Sequence, residues 1–131
     1  MTDRGGVERL LDDLYAARLR GDLQGVLGTF TDDAKLEIAG ATYTSPMTIH
    51  ASGSAEIRTW LALLVKTFQL SERQVLSLVI DDSHAAVHWR AKVRSRITGV
   101  TVPTELIDVV RVEGGRIASY TEFFVPRWGL G

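Results

Sequence analysis

The stretch ELIDVVRVEGGRIASYTEFF, residues 105–124, contains two runs rich in β-branched and aromatic residues, separated by Gly114 and Gly115. Both runs approach the period of two that is typical of a β-strand with one apolar and one polar face. A pair of glycines between two such runs predicts a tight hairpin turn. The stretch therefore predicts two neighbouring antiparallel strands.

Two runs upstream share this period, QVLSLVI at residues 74–80 and HAAVHWRAKVRSRI at residues 84–97. The second run alternates apolar side chains with a stripe of basic or titratable ones, His88, Arg90, Lys92, Arg94 and Arg96. In an antiparallel sheet that is covered on one side, the apolar set faces the cover and the stripe faces solvent or a second copy of the chain. No aromatic side chain shares the basic face, so a stacking surface for nucleic acid is not expected there.

The N-terminal half has the period of a helix instead. Thr2 or Asp3 is expected to cap a first helix that ends at Gly21, with an apolar face of Val7, Leu10, Leu11 and Leu14. Asp22 is expected to cap a short second helix. Residues 35–38 predict a brief strand, and residues 39–53 a loop or a weak hairpin. Ser54 precedes a third helix, whose apolar face is formed by Ile57, Trp60, Leu61, Leu64 and Phe68.

Helices followed by strands indicate an α+β fold in which the helices cover one face of a curved antiparallel sheet. The chain has 131 residues, 45% of them hydrophobic, which suits a single domain over residues 1–131. Its 15 basic and 16 acidic residues give a formal charge of −1, so no general attraction to nucleic acid or membranes is expected. The N-terminal residues lack an apolar leader pattern, which favours a cytoplasmic location.

Cysteine is absent, which excludes disulfides, a thiol nucleophile and thiolate metal sites. The three histidines are scattered, with no pair at helical spacing, so we expect no metal site and no cofactor.

Three segments together resemble the nuclear transport factor 2-like superfamily, and within it the SnoaL-like and ketosteroid-isomerase-like branch. They are GDLQGVLGTFTDDAKLEI at residues 21–38, IHASGSAEIRTWL at residues 49–61 and the stretch at residues 105–124. The resemblance spans nearly the whole chain. It implies a cone-shaped sheet wrapped around a long helix, an apolar pocket between them, and a homodimer. Members of this superfamily include isomerases, cyclases, dehydratases, epoxide hydrolases and non-catalytic binding proteins, so the fold alone does not identify the function.

The catalytic groups of ketosteroid isomerases are mostly missing from this chain. Gapless alignment puts Ile38 at the position of the general base and Leu14 at that of the oxyanion-hole tyrosine, with Tyr15 about 100° further around the helix. Asp108 matches the oxyanion-hole aspartate. In the epoxide hydrolases of this fold, the Asp-Arg-Asp group that activates water would correspond to Trp89, Ala91 and Glu122, of which only Glu122 is an acid.

The remaining acids, Asp108 and Glu122, are the candidate acid–base pair. If Asp108 faces the pocket, as the resemblance implies, period two brings Leu106, Val110, Tyr120, Glu122 and Phe124 to the same face. Opposite residues on neighbouring strands lie about 5 Å apart, so the two acids could share a proton. In the opposite phase Ile117, Thr121 and Phe123 point inward and Glu122 is exposed. Tyr120 and His50 are candidates for orienting a substrate, and the predicted pocket wall is Leu14, Tyr15, Ile38, Tyr43, Trp60, Trp89, Leu106 and Phe124.

Three functions remain open at this stage. The first is a cofactor-free enzyme that transfers a proton on a small, largely apolar, cyclic or polyketide-like molecule. The second is a non-catalytic binding protein in which the acids orient a ligand. The third is an interaction protein whose basic stripe binds a partner or a second copy.

Overall fold

In the computed structural model the chain is described for residues 3–41 and 46–127. Three helices and six strands follow one another as α1 (Arg4–Arg20), α2 (Leu23–Leu27), β1 (Phe30–Ala41), β2 (Pro46–Ser52), α3 (Gly53–Thr67), β3 (Phe68–Asp81), β4 (His84–Ser95), β5 (Thr101–Glu113) and β6 (Arg116–Pro126). The strands form one sheet in the order β2-β1-β6-β5-β4-β3. The sheet is curved and unclosed, and the α+β prediction is confirmed.

The helix ends agree with the capping signals. The carboxylate of Asp3 accepts a hydrogen bond from the backbone N–H of Gly6, which satisfies a free donor of the first turn of α1. Gly21 ends α1 in the left-handed conformation, with φ of 68°, where a side chain would be strained. Asp22 caps α2 through the N–H of Gly25. Thr2, the alternative cap, lies outside the described residues.

Strands β3 to β6 form the antiparallel meander that the period-two runs predict. Strand β1 then pairs with β6 in parallel, so the N-terminal strand lies beside the last strand of the chain. The segment predicted as a loop or a weak hairpin is a hairpin, because β2 pairs antiparallel with β1. Residues 42–45, which connect the two strands in sequence, lie outside the described residues.

The boundary between α3 and β3 differs from the prediction. Phe68 continues the apolar helical face in sequence, yet it is the first residue of β3 and pairs with Ser95. The strand runs from there to Asp81, although the local period of two begins only at Gln74. Pairing with β4 extends from Phe68 to Asp81 with two irregularities, and it stabilises β3 where its own pattern does not predict a strand.

Apolar and charged side chains lie on opposite faces of the sheet, as the alternation predicts. On β4, Val87, Trp89 and Ala91 are buried under the helices, whereas Arg90 and Lys92 are exposed on the other face. The outer residues form ordinary surface contacts, such as Lys92 Nζ with Glu72 Oε2 at 2.9 Å. The basic stripe is thus the outer side of a sheet whose inner side covers the core.

No helix among residues 3–41 and 46–127 is long and apolar enough to cross a membrane.

Candidate binding and acid–base site

A cavity of about 350 Å³ lies between the inner face of the sheet and helices α1 and α3. Its size is within the range of small-molecule sites. Most of its wall is apolar, formed by Leu14, Val26, Phe30, Leu36, Ile38, Met47, Leu61, Leu64, Val65, Phe68, Leu70, Val93, Val100, Val102, Leu106, Phe124 and Pro126. Arg18, Tyr120 and Glu122 also line it, and they are held together by hydrogen bonds.

The register of β5 and β6 explains why these side chains share a face. Asp108 pairs with Glu122, Leu106 with Phe124, and Val110 with Tyr120. Of the two phases considered from the sequence, the structure shows the one that turns Asp108 and Glu122 inward. Both acids are buried, whereas Phe123 on the opposite face is 46% exposed.

Gly40 allows the cavity wall to close beside β1. Gly40 pairs with Phe124, and a Cβ atom at Gly40 would lie only 2.5 Å from ring carbon Cε1 of Phe124. No real Cβ atom tolerates such a distance, so glycine here lets the aromatic ring cover the strand.

Asp108 is completely buried and accepts three hydrogen bonds on one oxygen, Oδ2. The donors are the hydroxyl of Tyr15 at 2.5 Å, the indole Nε1 of Trp89 at 2.8 Å, and the hydroxyl of Tyr120. Its other oxygen, Oδ1, has no hydrogen-bond partner among the described residues. Asp108 does not line the cavity. It contacts the lining through the hydroxyl of Tyr120, which does line the cavity.

The surroundings of Asp108 favour its neutral form. Burial raises the pKa of this carboxyl well above its usual range, and repulsion from Glu122 raises it further. Attraction to Arg18, whose Nη1 lies 4.0 Å from Oδ2, offsets only part of this. The surroundings therefore shift the pKa of Asp108 in the direction that favours its protonated form.

Glu122 behaves in the opposite way. Burial would raise the pKa of Glu122, but the charge and hydrogen bonds of Arg18 outweigh burial, and the pKa is lowered. Arg18 donates from Nη1 to Oε2 at 2.6 Å and from Nη2 to Oε1 at 3.3 Å, the paired geometry of a strong arginine–carboxylate contact. Glu122 is therefore an ionised carboxylate at the cavity wall.

Tyr120 bridges the two acids. Its hydroxyl lies in hydrogen-bond contact with Asp108 Oδ2 and 3.2 Å from Glu122 Oε2, and it accepts a hydrogen bond from Arg18 Nη1 at 3.0 Å. Burial raises the pKa of Tyr120 and of Tyr15, so both hydroxyls keep their protons and remain donors. The two carboxyls and the bridging hydroxyl can hold one shared proton, which is an arrangement suited to acid–base chemistry.

Arg18 is the functional residue that the sequence reasoning missed. It lies one helical turn after Leu14, and it continues the apolar face of α1 with a charged side chain. A charge at a position where the period demands an apolar residue signals a buried partner, because burying an unpaired charge is costly. That signal is present in the sequence, although it does not identify Glu122 as the partner.

Several predicted residues form part of this site. Leu14, Ile38, Leu106 and Phe124 line the cavity, as do Tyr120 and Glu122. Tyr15 and Trp89, which were predicted as pocket wall, instead surround Asp108 behind the cavity. Tyr15 is turned away from the cavity because it is one residue further around the helix than Leu14. The guanidinium of Arg73 covers the ring of Tyr15, 3.7 Å from its centroid.

Three predicted residues do not reach the cavity or cannot be assessed. His50 lies on the edge strand β2 with its side chain 69% exposed, 3.4 Å from Glu37, because alternation turns it away from buried Ile49 and Ala51. His50 is therefore not part of the cavity lining, where it was expected to orient a substrate. Trp60 packs against the core on α3 and is not part of the cavity lining. Tyr43 lies outside the described residues.

Among residues 3–41 and 46–127, no group of three histidine or acidic side chains is arranged to hold a metal ion.

Comparison with known proteins identifies the family and supports the fold. The family model for the SnoaL-like domain matches residues 11–120. No curated protein sequence matches the chain. Among solved structures, a Bacillus subtilis protein named as a candidate isomerase superposes with a TM-score of 0.81 at 20% identity, covering 95% of this chain and 90% of that one.

Two further solved structures, which are named differently, have folds similar to that of this chain. A nuclear transport factor 2-like protein from Burkholderia xenovorans has a TM-score of 0.77 at 19% identity and covers 95% of this chain and 93% of its own. An LEH-like epoxide hydrolase from M. tuberculosis has a TM-score of 0.68 at 17% identity and covers 89% of this chain and 80% of its own. At such identities the likeness shows the fold alone.

Proposed function

The chain belongs to the SnoaL-like domain family, and we propose that it binds a small, largely apolar molecule and transfers a proton on it without a cofactor. A cyclic or polyketide-like ligand fits this proposal, because the cavity wall is mostly apolar and its polar residues are Arg18, Tyr120, Glu122, Ser95, Thr98 and Thr104. The observation that carries the proposal is a pair of buried carboxyls joined by one hydroxyl, whose surroundings shift their pKa values in opposite directions. Isomerase, cyclase and dehydratase reactions all use such proton transfers.

In the proposed reaction Glu122 is the base. Its ionised carboxylate removes a proton from a carbon next to a carbonyl group of the ligand. The hydroxyl of Tyr120, which donates to Asp108 in the unliganded site, donates a hydrogen bond to the developing oxyanion, and protonated Glu122 then returns the proton to the ligand. Because Arg18 lowers the pKa of Glu122, the base is weak, and the reaction requires a carbon acid already activated by the carbonyl group.

Deuterium exchange tests the proton transfer without knowledge of the natural substrate. Methyl naphthyl ketone has acidic methyl hydrogens next to its carbonyl, and their replacement by deuterium in D₂O is measured by NMR. We expect the protein to accelerate exchange, and Glu122→Gln to abolish the acceleration while the ketone still binds. Equal exchange rates with the original protein and with Glu122→Gln would refute the role of Glu122 as the base.

A matched pair of variants tests the cavity itself. Leu106→Trp places a large side chain inside the cavity, whereas Ile107→Trp places the same side chain on the exposed outer face of the same strand. We expect calorimetry to show ketone binding to Ile107→Trp but not to Leu106→Trp. Binding to both variants would place the ligand elsewhere.

The second candidate is a binding protein without turnover. It is favoured by the paired contact of Arg18 with Glu122, which holds the carboxylate in a stable ionised state. In that case the ketone binds in the cavity and exchange is not accelerated. Mass spectrometry of small molecules captured from a cell extract by the original protein, and not by Leu106→Trp, would then identify the ligand.

We also propose that the protein acts in the cytoplasm as a homodimer that associates through the outer face of the sheet. Ile107 and Phe123 are register partners there, and both remain more than two-fifths exposed. Light scattering should give the mass of a dimer for the original protein and of a monomer for Phe123→Asp. A monomeric original protein would contradict this proposal without affecting the cavity.

A further inference from the structure

The only charged side chains among the described residues of the cavity wall are Arg18 and Glu122. They form a paired contact in which both oxygens of Glu122 accept hydrogen bonds from Arg18. The side chains are largely removed from solvent, with exposures of 21% for Arg18 and 7% for Glu122. Their charges cancel, so the polar end of the cavity carries no net charge while Asp108 is neutral.

A charged ligand group would have no free counter-charge at this end of the cavity. A carboxylate would meet Glu122 and would compete with it for Arg18, and an ammonium group would meet Arg18. Either charge would lose its hydration on entering the apolar cavity, and the pair would replace only part of that loss, because Arg18 and Glu122 already compensate each other.

A neutral oxygen, in contrast, finds unused partners. A guanidinium has five N–H bonds, and Arg18 uses three of them toward Glu122 and Tyr120. The remaining N–H bonds can donate to a carbonyl or hydroxyl oxygen, and the carboxylate of Glu122 retains lone pairs that can accept from a hydroxyl.

We propose that Arg18 and Glu122 together form a charge filter that admits neutral ligands with a hydrogen-bonding oxygen and excludes carboxylates and ammonium ions of the same shape. Each member of the pair blocks one sign of charge. Removing Glu122 therefore makes the cavity a carboxylate site, and removing Arg18 makes it an ammonium site. This inference depends on the proposed function, because it requires that the ligand enter this cavity.

Three probes of one shape test the filter: methyl naphthyl ketone, naphthoic acid and naphthylmethylamine. Calorimetry near neutral pH measures their binding to the original protein and to Glu122→Gln and Arg18→Met. We expect the original protein to prefer the ketone by about tenfold or more, since an unpaired buried charge is strongly disfavoured. Glu122→Gln should bind naphthoic acid about tenfold or more tightly than the original protein does, and Arg18→Met should gain similarly for the amine.

Asp108 requires a control, because its Oδ2 lies 4.0 Å from Arg18 Nη1 and its carboxyl can ionise when Glu122 is gone. The double variant Asp108→Asn with Glu122→Gln leaves Arg18 without any acidic neighbour in the cluster. We expect its affinity for naphthoic acid to equal or exceed that of Glu122→Gln alone. Circular dichroism shows whether each variant folds. Glu122→Gln tests carboxylate binding and Arg18→Met tests ammonium binding, so if one of them does not fold, the other still tests the filter.

The outcomes separate this inference from the proposed function. If the ketone does not bind, or binds equally well to Leu106→Trp, the proposed function fails and the filter fails with it. If the three probes bind the original protein equally well, the cavity function stands and the filter is wrong. If the gains in the single variants are absent or have the opposite sign, the pair does not select charge.

Discussion

Asp108 and Glu122 lie at the two ends of one hydrogen-bonded polar cluster, which Tyr120 joins. The two ends shift the pKa of a carboxyl group in opposite directions. At the aromatic end, Asp108 is surrounded by Tyr15, Trp89 and Tyr120, and burial raises its pKa. At the arginine end, Glu122 is equally buried, but Arg18 lowers its pKa. The two carboxyls are register partners on adjacent strands. Burial alone therefore does not decide which acid keeps its proton; the presence of one compensating cation does.

The largest expected effect comes from removing that cation. Arg18→Met leaves the carboxylate of Glu122 buried without a counter-charge, which typically costs about 3–5 kcal/mol in the free energy of unfolding. Urea denaturation measures the loss. Arg20→Met, two residues along the same helix and exposed, is the matched control and should cost less than about 1 kcal/mol. Equal losses in the two variants would show that the ion pair of Arg18 with Glu122 stabilises the fold no more than an exposed ion pair does.

The pH dependence of stability should have opposite signs at the two ends. Because the pKa of Asp108 is raised, its contribution is present below about pH 3.9, its ordinary value, and is lost as pH rises toward the folded value. Asp108→Asn should therefore gain stability relative to the original protein as pH rises from about 4 toward neutral, by up to about 1.4 kcal/mol per pH unit.

Glu122→Gln is the matched control for this pH experiment. Because the pKa of Glu122 is lowered, its contribution is present above about pH 4.3 and is lost as pH falls through the folded value. The destabilisation caused by Glu122→Gln should thus shrink on acidification. Urea unfolding curves across this range measure both variants, and parallel pH dependences would mean that the two acids are not distinguished by their surroundings.

A smaller effect is expected from the hydroxyl that joins the two ends. Tyr120→Phe removes contacts with both carboxyls and with Arg18, at a cost of about 1–3 kcal/mol. Tyr15→Phe removes the hydrogen bond to Asp108 and leaves the contacts of Glu122 in place, and should cost about 1 kcal/mol. NMR titration of carboxyl carbons should show both acids shifted in Tyr120→Phe and Asp108 predominantly shifted in Tyr15→Phe. Identical patterns in the two variants would argue against Tyr120 as the bridge.

The smallest effect concerns Arg73, which stacks on the aromatic end. Arg73→Met removes a cation 3.7 Å from the ring centroid of Tyr15, a contact worth about 0.5–1 kcal/mol. Arg90→Met, on the outer face, is the control and should change stability by less than about 0.5 kcal/mol. A loss for Arg73→Met as large as that for Arg18→Met would mean that the second cation also compensates a buried acid.

Local rules account for much of the fold. Capping by Asp3 and Asp22 and the left-handed Gly21 could be predicted because each depends on neighbours within a few residues. The parallel pairing of β1 with β6 could not, since residues 36 and 120 meet only through the folded chain. The α3 boundary was misplaced for a related reason: Phe68 fits the helical period, but its partner in β4 decides its conformation.

The candidate site was predicted in part. The alternation along β5 and β6, combined with the family resemblance, correctly placed Asp108 and Glu122 side by side on the inner face. It could not show that Asp108 lies behind Tyr120, because that depends on side-chain directions across three elements. Nor could it find Arg18 as the partner of Glu122, which is 104 residues away in sequence.

By itself the sequence determined most of the helices and strands and the inner and outer faces of the sheet, and the resemblance of three segments indicated the family. The elements and faces depend on short-range periodicity, caps and turns, which most segments carry within themselves. Only the tertiary structure decided which carboxyl has a raised pKa and which has a lowered one. A pKa depends on burial and on charges within a few ångströms, and α1, β5 and β6 bring Arg18, Asp108 and Glu122 that close only when the chain is folded.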